Sequence, residues 1–207
     1  MKYAMLVGAA LVAAPPSPPP QDQGPVGNLI AAVRGVSPLT CELAVQAVEN
    51  QWGWGGYGRM FRASRDPAVR AVMTAVQERR LGAEAVPALR AALSDSDACV
   101  RRVAAPLLGR IDHASAKSAL RQLLRDERPE VREAAAYGLG FSEDPAVIPA
   151  LLAGIQDAEP RVRVASAWAL GEIEDARAIG ALVRLLREDR DTDVRAAAAW
   201  ALGEIEG

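Results

Sequence analysis

The chain has 207 residues, half of them apolar, with 24 basic and 26 acidic side chains well mixed and a net charge of −2. That length supports one good-sized core, the lack of a basic stripe argues against a nucleic-acid partner, and no apolar run is long enough to cross a bilayer as a helix. With only two Phe and three Tyr, the interior has to be built from Ala, Leu and Val, which favours close-packed helices over a β-sandwich.

Residues 1–14 read MKYAMLVGAALVAA, one lysine followed by an apolar run, the pattern of a secretory signal. Export to a periplasmic or secreted location is therefore expected, with no stable membrane insertion after processing. The alternative is a disordered apolar tail on a cytoplasmic protein. Val12-Ala13-Ala14 resembles a cleavage box, although Pro15 directly after it disfavours cutting there. Residues 15–25 are proline-rich and read as an extended linker. In an oxidising compartment Cys41 and Cys99 can bridge. The other reading is two small helix residues with no bond, since spacing alone does not bring two Cα atoms within bridging distance.

Residues 26–65 read as an N-terminal cap. A weak helical period covers 26–37 and ends in Gly and Pro signals. A second helix is expected over 38–52, with Thr40 as its N-cap and Leu43, Ala47 and Val48 on one face. The glycine-rich segment 53–58 breaks it. Trp52, Trp54 and Tyr57 around that break either cover the apolar end of the following stack or stack on a ligand.

From residue 66 to 207 the chain repeats itself. Val-Arg pairs begin at Val69, Val100, Val131, Val162 and Val194, spaced 31, 31, 31 and 32 residues apart. A fixed period in this range marks a stacked repeat architecture. Counting from Val162 as zero, apolar or small residues recur at +4, +7, +8 and +11 (Ser166, Ala169, Leu170, Ile173) and share one helical face. After a charged turn a second helix follows at 176–187, with Ile179, Leu182, Val183 and Leu186 facing inward. Leu89, Leu120 and Leu151 are the equivalents of Leu182. Two antiparallel helices per period make an all-α solenoid of stacked helix pairs. Prolines such as Pro129 and Pro160, just ahead of the Val-Arg pair, suit a first helical turn.

The phrase V-R-x-x-A-A-x-A-L-G-x-I, nearly whole at 162–173 and 194–205, resembles HEAT repeats, in particular the short class of the phycobilisome lyases. The resemblance implies four complete helix pairs, beginning near Ala83, Ala114, Pro145 and Ala176, plus an unpaired leading helix from Pro67. Gly109, Gly140, Gly171 and Gly203 at +9 are read as points of close helix approach. Arg70, Arg101, Arg132, Arg163 and Arg195 at +1, with Asp95, Asp126, Asp157 and Asp189 five residues before each valine, resemble the ladder by which HEAT proteins tie repeats together. Asp157 and Arg163 are the pair singled out for coupling.

Enzymatic chemistry finds little purchase. His113 is the one histidine, without an HExxH context, whereas HEAT-like hydroxylases of a modified lysine hold iron with several His-Glu pairs. No enzyme, cofactor or metal site is expected. In the family the Val-Arg helix lines the concave face, and positions +2, +3, +6 and +10 are varied there. In this chain that stripe holds Arg102, Val103, Pro106 and Arg110, then Glu133, Ala134, Tyr137 and Phe141. The third and fourth copies add Val164, Ala165, Trp168 and Glu172, and Ala196, Ala197, Trp200 and Glu204. Successive aromatics at +6 are expected about 10 Å apart. Either they pack on the neighbouring repeat, or with Arg102, Arg110, Glu133, Phe141, Glu172 and Glu204 they form a groove for a protein or peptide. The expectation is a non-enzymatic scaffold or adaptor that binds protein through the concave face. A lyase-like HEAT protein acting on a bound small molecule and a structural module of a larger assembly are the alternatives. Self-association through the C-terminal repeat is a further expectation.

Overall fold

A computed structural model describes residues 24–49 and 81–206. The expected signal segment, the Gly/Trp segment 53–58 and the stretch from Pro67 where a leading helix is expected lie outside them. Among the described residues the secondary structure is helical throughout, with ten α-helices and no strand.

The first two form the N-terminal cap: α1, Gly24–Val33, and α2, Pro38–Glu49. The last two residues of the expected linker thus belong to α1. The N-cap of α2 is Ser37, not Thr40. Pro38 opens the helix, its fixed φ suiting the first position, and Ser37 Oγ accepts the Thr40 amide at 3.1 Å. Ala44, Val45 and Val48 of α2 are buried.

Four helix pairs follow. The first is α3, Val86–Leu93, led in by a 3-10 turn at Ala83–Ala85, with α4, Ala98–Gly109. The second is α5, Ala114–Leu123, with α6, Pro129–Gly140. The third is α7, Ile148–Gly154, after the turn Pro145–Val147, with α8, Pro160–Ile173. The fourth is α9, Ile179–Glu188, after Ala176–Ala178, with α10, Thr192–Glu206. Each start has a visible cause. Asp97, His113, Asp144 and Asp175 accept backbone N–H groups that have no partner within the helix, and Pro129 and Pro160 open α6 and α8.

Val131, Val162 and Val194 are fully buried, as are Leu108, Leu139 and Leu170 at +8 and Leu89, Leu120, Leu151 and Leu182 on the first helices. Each leucine contributes roughly 2 kcal/mol by leaving water. In α9 the inward residues are Leu182 and Leu185, while Ile179, Val183 and Leu186 are only half-buried. The +3 column also departs from expectation. Val103, Ala134 and Ala165 are buried in the stack, because they lie one residue nearer the core stripe than +2.

Helices α4, α6, α8 and α10 lie side by side, and two small-residue columns allow it. Ala105, Ala136 and Ala167 at +5 are buried. At +9, a Cβ added to Gly109 would collide with the Gly138 carbonyl, one on Gly140 would sit 3.0 Å from Ala169 Cα, and one on Gly171 would sit 2.9 Å from Ala201 Cα.

The Asp–Arg ladder is present with a different pairing. Arg132 grips Asp157 through Nε and Nη2 at 2.7 and 2.9 Å, and Arg163 grips Asp189 at the same distances. Arg163 meets Asp157 only through its backbone carbonyl, at 2.9 Å. The side-chain pairs therefore run from one repeat to the next, and the third nitrogen of each arginine ties down the turn before its own helix. Arg34 of the cap closes the series on Asp95. Asp126 is paired instead with Arg128. Cys41 of α2 and Cys99 of α4 form a disulfide with Cα atoms 5.6 Å apart.

Candidate functional site

Helices α4, α6 and α8, with α2 at one end, enclose a groove of about 720 Å³. Its walls follow from helical spacing, since residues three or four apart share a face. On α6 Glu130, Glu133 and Tyr137 line the groove, with Phe141 just past the end of the helix. Arg161, Trp168 and Glu172 do so from α8, and Arg101, Arg102 and Pro106 from α4. The structure thus brings together Arg102, Glu133, Tyr137, Phe141, Trp168 and Glu172 of the expected set. Arg110 joins through Phe141, its guanidinium carbon 4.6 Å from the ring centroid. Trp200 extends the row beyond the groove, and Glu204 is exposed on α10 outside the lining.

Sequence reasoning missed Arg101, Glu130 and Arg161. Glu130 and Arg161 both occupy position −1, so continuing the +2, +6, +10 stripe back one turn would have found them. Side chains in a first turn lean toward the helix N-terminus and close that end of the groove.

The aromatic rings are closer together than the spacing of about 10 Å expected of packed helices. Trp168 lies 5.2 Å from Tyr137 and 5.1 Å from Phe141, both tilted at 57°. It stacks on Trp200 at 6.4 Å with the planes 10° apart. One edge of each tryptophan is also part of the stack, since the positions a Cβ would take on Gly140 and Gly171 lie 2.7 and 2.8 Å from Cζ3 of Trp168 and Trp200. Packing and groove lining are thus combined in one side chain. Trp200 is 38% exposed.

The charges divide by whether the fold already employs them. Arg102 donates to Glu42 at 2.8 Å and holds that carboxyl below its usual range. Arg101 donates to the carbonyls of Asp95 and Ser96, and Arg110 to that of Val48. Glu133 is different. It is half-buried and accepts no hydrogen bond from a described residue. Burial pushes its carboxyl up, against the pull of Arg161, Arg101 and Arg102.

The family model for HEAT repeats matches residues 59–140, 83–161 and 119–203. The chain belongs to the HEAT-repeat family. The match is to HEAT repeats in general and does not single out the lyase class. No curated protein matches the chain. Among solved structures, human deoxyhypusine hydroxylase in complex with glycerol is similar, with a TM-score of 0.52 and 21% identity, over 87% of this chain and 73% of that one.

That likeness corrects the expectation that the chain is not an enzyme: the fold is shared with a hydroxylase, so stacked helix pairs do not set the chain apart from catalysts. At this identity the likeness concerns the fold alone. The histidine count bears on one particular chemistry. His113 serves as the N-cap of α5, its Nδ1 accepting the Ser115 amide at 3.2 Å, and it is the one histidine in the chain. Among the described residues no three His, Cys, Asp or Glu side chains are grouped to hold a metal ion. The donor set does not fit an iron held by several His-Glu pairs.

Proposed function

We propose that the groove binds an extended segment of another protein, with α6 and α8 as its floor. The observation that carries this reading is the aromatic row. Tyr137, Phe141 and Trp168 are half-buried, packed against one another, and line a groove of about 720 Å³. Rigid aromatic anchors ringed by charge lose little side-chain entropy on binding, and such residues dominate interface energetics.

A randomised dodecapeptide library displayed on phage and selected on the full chain tests this. Recurrent sequences are expected that bind wild type at least tenfold more tightly than Tyr137→Ala or Phe141→Ala, with the helical circular dichroism signal unchanged. A selection that enriches nothing, or peptides that bind both variants as well as wild type, would overturn it. We also assign the protein to an oxidising compartment, a reading supported by the Cys41–Cys99 bridge. Thiol labelling of extracts without reductant should leave both cysteines unmodified.

A further inference from the structure

The groove holds carboxylates and arginines in similar number, yet they are not equally available. Arg101, Arg102 and Arg110 each donate to a carbonyl or carboxylate of the fold. Arg110 in addition covers Phe141, which shows that a guanidinium is accommodated against this aromatic wall. Glu133 and Glu130, by contrast, accept no hydrogen bond from a described residue. Glu133 is the deeper problem. A carboxylate that has lost part of its hydration without gaining a donor destabilises the empty groove. Its position, one turn below Tyr137 on α6, puts it beside aromatic faces that favour a cation.

We propose that the bound segment is recognised through one basic side chain, lysine or arginine, which donates to Glu133 and runs its methylene stem along Tyr137 and Trp168. The inference rests on the groove being a peptide site. A lysine or arginine stem suits such a wall, because these side chains bury their methylenes while the charged head finds a polar partner. Arg161, the groove arginine at the same end, sets the limit on how many positive charges fit. One basic anchor is accommodated, and a polybasic run is repelled.

The test uses the peptides recovered from the dodecapeptide selection, synthesised with a fluorescein label and measured by anisotropy against the full chain. They are expected to share one Lys or Arg at a fixed place relative to their apolar residues. Replacing that residue by norleucine, or Glu133 by Gln, should each weaken binding about tenfold. The two changes together should weaken it little further, because they remove the same contact. Glu133→Lys should reverse the preference, binding a peptide with Glu at the anchor better than the original. Recovered peptides without a shared basic residue, or Glu133→Gln with unchanged affinity for them, would overturn the cationic anchor while leaving the peptide site standing. A selection that enriches no peptide at all removes the site and the anchor together.

Discussion

A methyl group added at Gly171 would lie 2.8 Å from Cζ3 of Trp200 and 2.9 Å from Ala201 Cα, whereas at Gly203 it would meet nothing within 4 Å. The two glycines hold the same place in their repeats, so one substitution should have opposite signs. Gly171→Ala is expected to destabilise by about 1–3 kcal/mol, since backbone has to move. Gly203→Ala should stabilise by up to about 1 kcal/mol through helix propensity alone. Urea denaturation of both variants checks this, and equal signs would sink the close-approach account. Asp157 and Asp189 sit below their ordinary value of 3.8, held there chiefly by the hydrogen bonds of Arg132 and Arg163. A carboxyl whose pKa is lower in the fold than in the unfolded chain stabilises fully above the unfolded value. That contribution is lost as pH falls through the folded value. The melting temperature should therefore drop on acidification below about pH 4, and Asp157→Asn should flatten the drop. A double-mutant cycle on Arg132 and Asp157 should give a coupling of about 1–2 kcal/mol, the pair being bidentate and mostly buried. The same cycle on Arg163 and Asp157 should give much less, because only a backbone carbonyl is shared. The columns of Asp and Arg were plain in the sequence. Which member met which was not, because a regular repeat places an equivalent partner both one helix back and one helix ahead.

Helices were legible wherever their boundaries are made by local chemistry. The pair starts at Ala83, Ala114, Pro145 and Ala176 follow from turn residues and the 31-residue register. The misassigned start of α2 arose where two hydroxyl residues, Ser37 and Thr40, both fit a cap and the proline between them decided the matter. Helix ends were harder to read. Those of α6 and α8 are followed by Glu143 and Glu174 with φ of 47° and 53°, in the left-handed region where glycine is the usual occupant. Nothing in a glutamate announces that backbone. It does make a prediction at this scale. Glu174 is exposed, so Glu174→Gly removes a Cβ from a disfavoured conformation at no cost in packing and should raise stability by about 1 kcal/mol. For a chain of this size that is a melting shift of roughly 2–4 °C, measurable by calorimetry. A decrease would mean that the chain entropy added by glycine outweighs the relief. In a sequence where alanine is everywhere, Ala136 and Ala167, buried between helices, are indistinguishable from an exposed one such as Ala199.

Over the whole molecule, each helix pair packs mainly on its neighbours, so stability is close to a sum of repeat and interface contributions. The cap is the exception, because a covalent bond joins it to the first full repeat in addition to ion pairs and packing. The Cys41–Cys99 bridge, the Arg34–Asp95 pair, the Gly35 amide on Asp97 and the Arg110 contact to Val48 all join α2 or the turn before it to the first full repeat and the turns that bound it. From the sequence the Cys41–Cys99 bridge was one of two readings, while the polar contacts beside it were not legible, since their members lie about sixty residues apart with no shared pattern. The groove was half visible for the same reason: the repeating stripe marked its α6 and α8 walls, while its closed end depends on how α2 lies across α4. Closing a loop of 58 residues contributes about 4 kcal/mol in the chain-entropy account. In a nearest-neighbour stack that loss should stay local. Adding reductant should therefore speed amide hydrogen exchange across residues 24–49 and in α4, and leave α8 and α10 at their oxidised rates. Exchange that rises equally in α10 would mean that cap and solenoid unfold as one unit. In that case the groove between them could not be loosened at its α2 end without unfolding the repeats that form its floor.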